Sequence, residues 1–378
     1  MSTTTTRIDP AKFEPLFDLI QSHIAEHRYP GCQVAVAAQG ELLVNRSFGL
    51  SRIGQGHQAD TQTLPADNQH LWLLYSNTKV LMACTLWKLY EQGRLQFTDH
   101  VADHLPGFAA KGKQDITLLQ VITHQGGFPD AEVPASVWQD HARILQTVCE
   151  FDLQWTPGSR VHYHGLSAHW VLAMVIEAVT GMDFREAVTQ LVITPLGLAD
   201  DLFMGLPAAQ AHRLAYLYEP DASAPTGQRL RDESTSLNWQ TAGVPGGGAY
   251  GTARGMVLLY QMMLGGGELN GVRLLSPDTL AYAIQNYTAD RVDEFMGMPM
   301  HRGLGPHLRG STAVIRGLGS DAPANAFGHG GVGTSYCWAD PNSGLSFAYL
   351  TNSRVPEPWH SQRLNEVSNL VHAAINKH

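Results

Sequence analysis

The apolar positions follow three regimes along the chain. From Asp9 to Arg28 they recur at helical spacing, which predicts an amphipathic helix. The next stretch, GCQVAVAAQGELLVNRSFGL, alternates and breaks at Gln39-Gly40, so two strands around a tight turn are expected. A helical middle follows. WLLYSNTKVLMACTLWKLYEQGRL (72–95) reads as a buried helix with Val80, Ala83, Cys84, Trp87 and Tyr90 at helical spacing and Gly93 placed to stop it. ITLLQVITH (116–124), SAHWVLAMVIEAVTG (167–181) and DFREAVTQLVITPLGL, ended by Pro195, continue the pattern. A glycine run, VPGGGAYG, leads into a further helix near Thr252. The last third returns to alternation: TSYCWADPNSGLSFAYLTN (334–352) predicts a hairpin turning at Pro341 to Gly344, and a helix from about Ser361 to Asn376 closes the chain.

Strands therefore lie at both ends and helices between them. The economical arrangement is α+β: an antiparallel sheet built jointly by the two ends and flanked by helices. On this reading residues 1–75 and 240–378 form one α/β part. Residues 76–239 form a mostly helical insertion, with a site in the cleft between the two.

Composition narrows the function classes. The 378 residues carry a formal net charge of −9 with no basic stripe, which argues against a nucleic-acid partner. The N-terminus lacks a basic segment followed by an apolar one, and no apolar run is long enough to span a bilayer. A cytoplasmic protein without a membrane partner is the expectation. Cys32, Cys84, Cys149 and Cys337 are scattered, form no CxxC pair, and read as reduced thiols.

Three places carry candidate chemistry. In Ser76-Asn77-Thr78-Lys79, positions i and i+3 share a helix face. A serine in the first turn has free backbone N–H groups and the positive end of the dipole beside it. A lysine among apolar neighbours is a proton acceptor, because burial disfavours its charged form. The pair also arises by chance, as a capping serine and a solvated lysine. In PGSRVHYHGLSAHW (157–170), Tyr163 is either a core anchor or a general base whose pKa a neighbouring amine lowers. His162, His164 and His169 lack the spacing of a metal site, and no metal is expected. In FGHGGVGTSYCW (327–338), glycines at a strand start mark either a flexible turn or a close approach that supplies an oxyanion donor. A G-x-S-x-G elbow, a P-loop and a dinucleotide fingerprint are all absent from the sequence.

In order, PGCQVAVAAQGELL, YSNTK, LYEQGRLQFTDHVADHLPGF, ITLLQVITHQGG, PGSRVHYHGLSAHWVLAMVIEAVTG, ITPLGL and GHGGVGTSYCWADPNSGLSFAYLTN resemble the serine β-lactamase and penicillin-binding-protein superfamily. The resemblance is to its class C-like group, which includes family VIII carboxylesterases. It implies a β-lactamase/transpeptidase-like fold and an acyl-enzyme on Ser76, with Lys79 and Tyr163 moving the proton. It implies a third motif at His329-Gly330-Gly331, oxyanion donors in the backbone N–H groups of Ser76 and Val332, and no cofactor. Trp138, Trp155, Trp239 and Trp338 are candidates for lining an acyl or alcohol pocket.

The sequence departs from the family pattern in three places. The second motif lacks its asparagine (Tyr163-His164-Gly165), THTSG is replaced by Thr123 to Gly127, and no lysine occurs between Lys113 and Lys377. A Lys-Thr-Gly motif is therefore impossible in the C-terminal half. That lysine holds a β-lactam carboxylate, and His329 replaces it only when protonated. A small neutral ester is thus the expected substrate. A β-lactam, a D-amino-acid peptide or amide, acyl transfer to an acceptor other than water, and a non-catalytic binding protein on the same fold are the alternatives. Oligomeric state is left open.

Overall fold

The computed structural model describes residues 9–54, 62–311 and 317–376. Its main sheet has seven strands: β1 (Gly31–Ala38), β2 (Glu41–Arg52), β3 (Leu64–Pro65), β4 (His307–Leu308), β5 (Phe327–Gly331), β6 (Ser335–Asp340) and β7 (Leu345–Thr351). Their order is β4-β5-β6-β7-β1-β2-β3, and every pair is antiparallel. The two ends of the chain meet at the centre, where Cys32 on β1 pairs with Thr351 on β7. Both predicted hairpins form. Gln39 and Gly40 adopt φ of 55° and 79°, the left-handed pair that a two-residue hairpin turn requires.

Alternation along the strands sorts side chains into two apolar layers. Val34, Val36, Tyr336, Trp338, Phe347 and Tyr349 pack with helix α1 (Glu14–Ala25) and the C-terminal helix α5 (Trp359–Asn376). Ala35, Ala37, Cys337, Ala339, Ala348 and Leu350 face inward to α4 (Ala253–Leu264), whose N-cap Thr252 accepts from Gly255 N at 2.9 Å. The small residues of this inner face let α4 lie close on the sheet. The same apolar cluster continues into the helical middle, through α2 (Thr78–Glu91) and α3 (Ser167–Thr180). Gly181, at φ 72°, ends α3 as a left-handed cap.

The apolar run at 72–95 is not one helix. Trp72–Leu73 pairs as a short strand with Tyr250 and Gly251, a 3₁₀ turn covers Tyr75–Asn77, and the α-helix starts only at Thr78. A short apolar run reads equally as strand or helix, and here tertiary pairing decides. All four cysteines are free thiols. Among the described residues, no helix is long and apolar enough to cross a membrane.

Candidate active site

From Leu71 to Trp87 every residue is buried except Ser76, which opens into a cavity of about 1090 Å³. The backbone before it is held tightly. Leu74 N donates to Ala249 O at 2.9 Å, and Ala249 N donates to Thr78 Oγ1 at 3.0 Å. Tyr75 between them has φ 44°, an uncommon conformation for a bulky residue. Its hydroxyl donates to Glu233 at 2.8 Å, and Glu233 pairs with Arg231 at 2.9 Å. This network anchors the side chain while the backbone turns Ser76 toward the cavity.

Lys79 is fully buried one turn further on. Its Nζ lies 3.1 Å from Ser76 Oγ, 2.8 Å from Gly165 O and 2.6 Å from Gly246 O. Burial, and then the charge of Arg302, pull its pKa well below the usual lysine value. A neutral amine has two N–H groups for the two carbonyls and a lone pair for the serine proton. After accepting that proton, all three N–H groups still have acceptors. The geometry therefore suits both protonation states. Gly246 permits this approach, since a Cβ there would stand 3.0 Å from Gly165 O.

Tyr163 lines the cavity and hydrogen-bonds Ser76 through its side chain. Burial pushes its phenol up to about 12, against the pull of Ser76 and of Arg302. Burial thus raises the Tyr163 phenol rather than a neighbouring amine lowering it, while burial lowers the Lys79 amine beside it. Its ring lies 4.6 Å from that of His124. His124, at φ 62°, carries the turn that replaces the family's THTSG: its Nδ1 accepts from His164 N at 3.0 Å, and its carbonyl accepts from His162 N. His164 is structural, its ring nitrogens engaging Phe128 N at 3.2 Å and His162 O at 2.7 Å. Burial keeps His164 neutral, with a pKa of about 4.

The third motif sits opposite. Gly331, at the end of β5, passes so close to the mouth of α2 that a Cβ would meet Ser335 Oγ at 2.5 Å and Leu74 O at 2.7 Å. Asn77 Nδ2 donates to Ser335 Oγ at 3.0 Å and ties the same junction. Val332, half-exposed, follows directly and lines the cavity with His329, Gly330 and Gly331. His329 does not replace the missing lysine as a cation. It is 1% exposed, its Nδ1 donates to Gly330 O at 3.0 Å, and burial followed by the Lys79 charge lowers its pKa to about 3.

Of the four tryptophans, only Trp239 lines the cavity. Trp138 backs it, ring to ring at 5.4 Å, and donates to Val133 O at 3.0 Å. Trp155 packs against His162 at 5.4 Å outside the lining. Trp338 points to the opposite face of the sheet, where it stacks on His372 at 4.5 Å and donates to Ser368 at 3.0 Å. Residue type alone does not tell which face of β6 it occupies.

Sequence reasoning missed two groups at this centre, Arg302 and Asp293. They form a buried ion pair, and Asp293 Oδ1 accepts the backbone N–H of Tyr163 at 3.2 Å. Nothing in DEFMGMPMHRGLG singles them out, because their partner is 130 residues away. Among the described residues, the one His/Cys/Asp/Glu set close enough to share an ion is His141, Glu177 and Asp183. It lies outside the cavity lining, and Arg185 hydrogen-bonds both His141 and Asp183.

The serine-and-amine pair at a helix mouth, the tyrosine and the glycine strand edge suit one class of protein, and comparison with known proteins shows the family. A profile of the Beta-lactamase family matches residues 16–368, so the chain belongs to the beta-lactamase family. The Esterase/beta-lactamase LipL of Mycobacterium tuberculosis H37Rv is 26% identical over 360 residues, spanning 86% of this chain and 77% of that protein. A penicillin-binding protein homologue from Caulobacter crescentus superposes with TM-score 0.80 at 25% identity, covering 98% of this chain and 99% of that one. A family VIII carboxylesterase superposes with TM-score 0.79 at 25% identity, covering 95% and 97%. The fold is β-lactamase/transpeptidase-like.

Proposed function

We propose that the protein is a serine hydrolase that cleaves neutral carboxylic esters through an acyl-enzyme on Ser76. The observation that carries this reading is the 3.1 Å contact between Ser76 Oγ, which lines an open cavity, and the Nζ of a buried Lys79 whose pKa burial pulls well below the usual lysine value. Lys79 accepts the Ser76 proton as the oxygen attacks the ester carbonyl. The tetrahedral oxyanion points to the backbone N–H groups of Ser76 and Val332. Tyr163 gives its proton to the leaving alkoxide and regains one from Lys79. Water then attacks the acyl-serine, losing its proton to the same pair and releasing the acid and free Ser76.

The ester preference rests on the third motif. Its histidine is neutral, and Arg231 in the cavity wall is already paired with Glu219 and Glu233. The wall includes the apolar groups Leu166, Trp239, Phe295, Met300 and Val332. A second reading, cleavage of an amide or β-lactam bearing a carboxylate, draws on Arg354, an exposed cation of the cavity wall.

Two measurements test this. A fluorophosphonate should add covalently to wild type and not to Ser76→Ala, read by intact mass; equal labelling would remove Ser76 from the mechanism. In parallel kinetics, p-nitrophenyl butyrate should show a higher kcat/KM than a chromogenic cephalosporin. The reverse order would favour the amide reading.

A further inference from the structure

The family pattern expects a cation beside the tyrosine, and His329 does not supply it. Another cation lies within reach of the same groups. Arg302 is 2% exposed, and its Nε donates to Asp293 Oδ2 at 3.1 Å while Nη2 pairs with the same oxygen. Its guanidinium carbon stands 5.1 Å from the centre of the Tyr163 ring, and Lys79 Nζ stands 5.1 Å from the same ring. Asp293, itself fully buried, spends Oδ1 on the backbone N–H groups of Tyr163, Phe295 and Met296. A bridge between Val161 and Asp293, with Glu294 N donating to Val161 O at 2.9 Å, fastens this segment beside Tyr163.

We infer that Arg302 is a positioning residue for the proposed reaction: clamped by Asp293, it keeps Tyr163 in register with Ser76. It also supplies, from beneath the cavity, the fixed positive charge that a C-terminal lysine would otherwise provide. The inference rests on the reading of Lys79 and Tyr163 as the proton-handling pair.

The sign follows from charge alone. A guanidinium stays protonated throughout the working pH range. It disfavours the ammonium form of Lys79 and favours the phenolate form of Tyr163, so it pulls both titrations toward lower pH. Whichever group sets the acid limb of activity, loss of Arg302 moves that limb upward. Asp293 opposes this effect on Tyr163, more weakly than Arg302 exerts it. The other groups facing the pair are Ser76, the rings of His124, His307 and His329 around Tyr163, and His169 near Lys79. Burial holds His124, His169 and His329 neutral across the neutral range and keeps Tyr336 protonated.

The test is the pH dependence of kcat/KM on ethyl butyrate, with ethanol release measured, for wild type, Arg302→Gln, Arg302→Lys and Tyr163→Phe. An alkyl ester is needed because its leaving group requires the Tyr163 proton. Arg302→Gln should move the acid limb up by about one pH unit or more, and Arg302→Lys should restore most of the shift. Should the single variant not fold, Arg302→Gln with Asp293→Asn removes both charges together, and a smaller upward shift is expected. A limb at the wild-type pH in both, with only lower amplitude or melting temperature, would reduce Arg302 to a structural brace. A fully active Tyr163→Phe would instead overturn the underlying reading, whatever Arg302 does.

Discussion

Replacing Gly331 by alanine probes the junction on which the proposed oxyanion site depends. The added Cβ would stand 2.7 Å from Leu74 O and 2.5 Å from Ser335 Oγ. The serine can rotate, but the Leu74 carbonyl cannot give way easily. It accepts from Asn77 N at 3.1 Å and Asn77 Nδ2 at 3.2 Å, and it lies two residues before Ser76. Reaching even a tight contact of 3.4 Å requires the strand edge to retreat by about 0.7 Å. Overpacking of this kind costs about 1–3 kcal/mol. The same retreat carries the N–H of Val332 away from the carbonyl oxygen. Loss of one oxyanion donor costs on the order of 10²–10³ in kcat, and partial displacement should cost about 30–100-fold. KM should change little, because the contact forms chiefly in the transition state. The assay is p-nitrophenyl butyrate hydrolysis, normalised by fluorophosphonate titration of reactive sites, with a melting curve alongside. A kcat within about twofold of wild type would refute the placement of Gly331 and Val332 at the reacting carbonyl.

Two further outcomes are expected. The buried neutral histidines make the fold acid-sensitive: His329 and His164 have folded pKa values of about 3 and about 4, below the ordinary histidine value near 6.5. Between those limits the unfolded chain binds more protons, so stability falls as pH falls, by at most about 1.4 kcal/mol per pH unit for each. His329→Asn should flatten the urea-midpoint profile between pH 6.5 and 4, and an unchanged slope would show that His329 is not neutral in the fold. Phe295 is 62% exposed at the cavity wall, so Phe295→Ala should leave the melting temperature unchanged. It should lower kcat/KM on long or aryl esters about 5–20-fold and spare acetates; equal losses on both would argue that its ring does not meet the substrate.

Much of this molecule was legible in its sequence because the signals were local. The Gln39-Gly40 turn, the α3 periodicity and the Ser76-Lys79 spacing each depend on a few neighbouring residues. The rest depended on contacts that no local pattern encodes. Trp72 and Leu73 look helical until Tyr250 and Gly251 claim them as a strand. Trp338 has the chemistry of a pocket wall, but its phase on β6 turns it toward α5. Asp293 and Arg302 are unremarkable until the fold sets them beside Tyr163. The direction of the Tyr163 pKa also required the fold, since the desolvation that raises it comes from distant segments packing around the ring.

The central strand pairing also bears on how the protein is made. β1 and β7 lie more than three hundred residues apart, and the glycine edge beside Ser76 belongs to β5, which follows the helical middle in sequence. Closing so long a loop is entropically late, and the chain leaves the ribosome from its N-terminus. The β1–β2 hairpin and the helical middle with Ser76, Lys79 and the loop of Tyr163 can gather during synthesis. The glycine edge of β5 is made only after the whole helical middle. Until that edge has been made and docked, Ser76 and Lys79 stand without the Gly331–Val332 side of the proposed site.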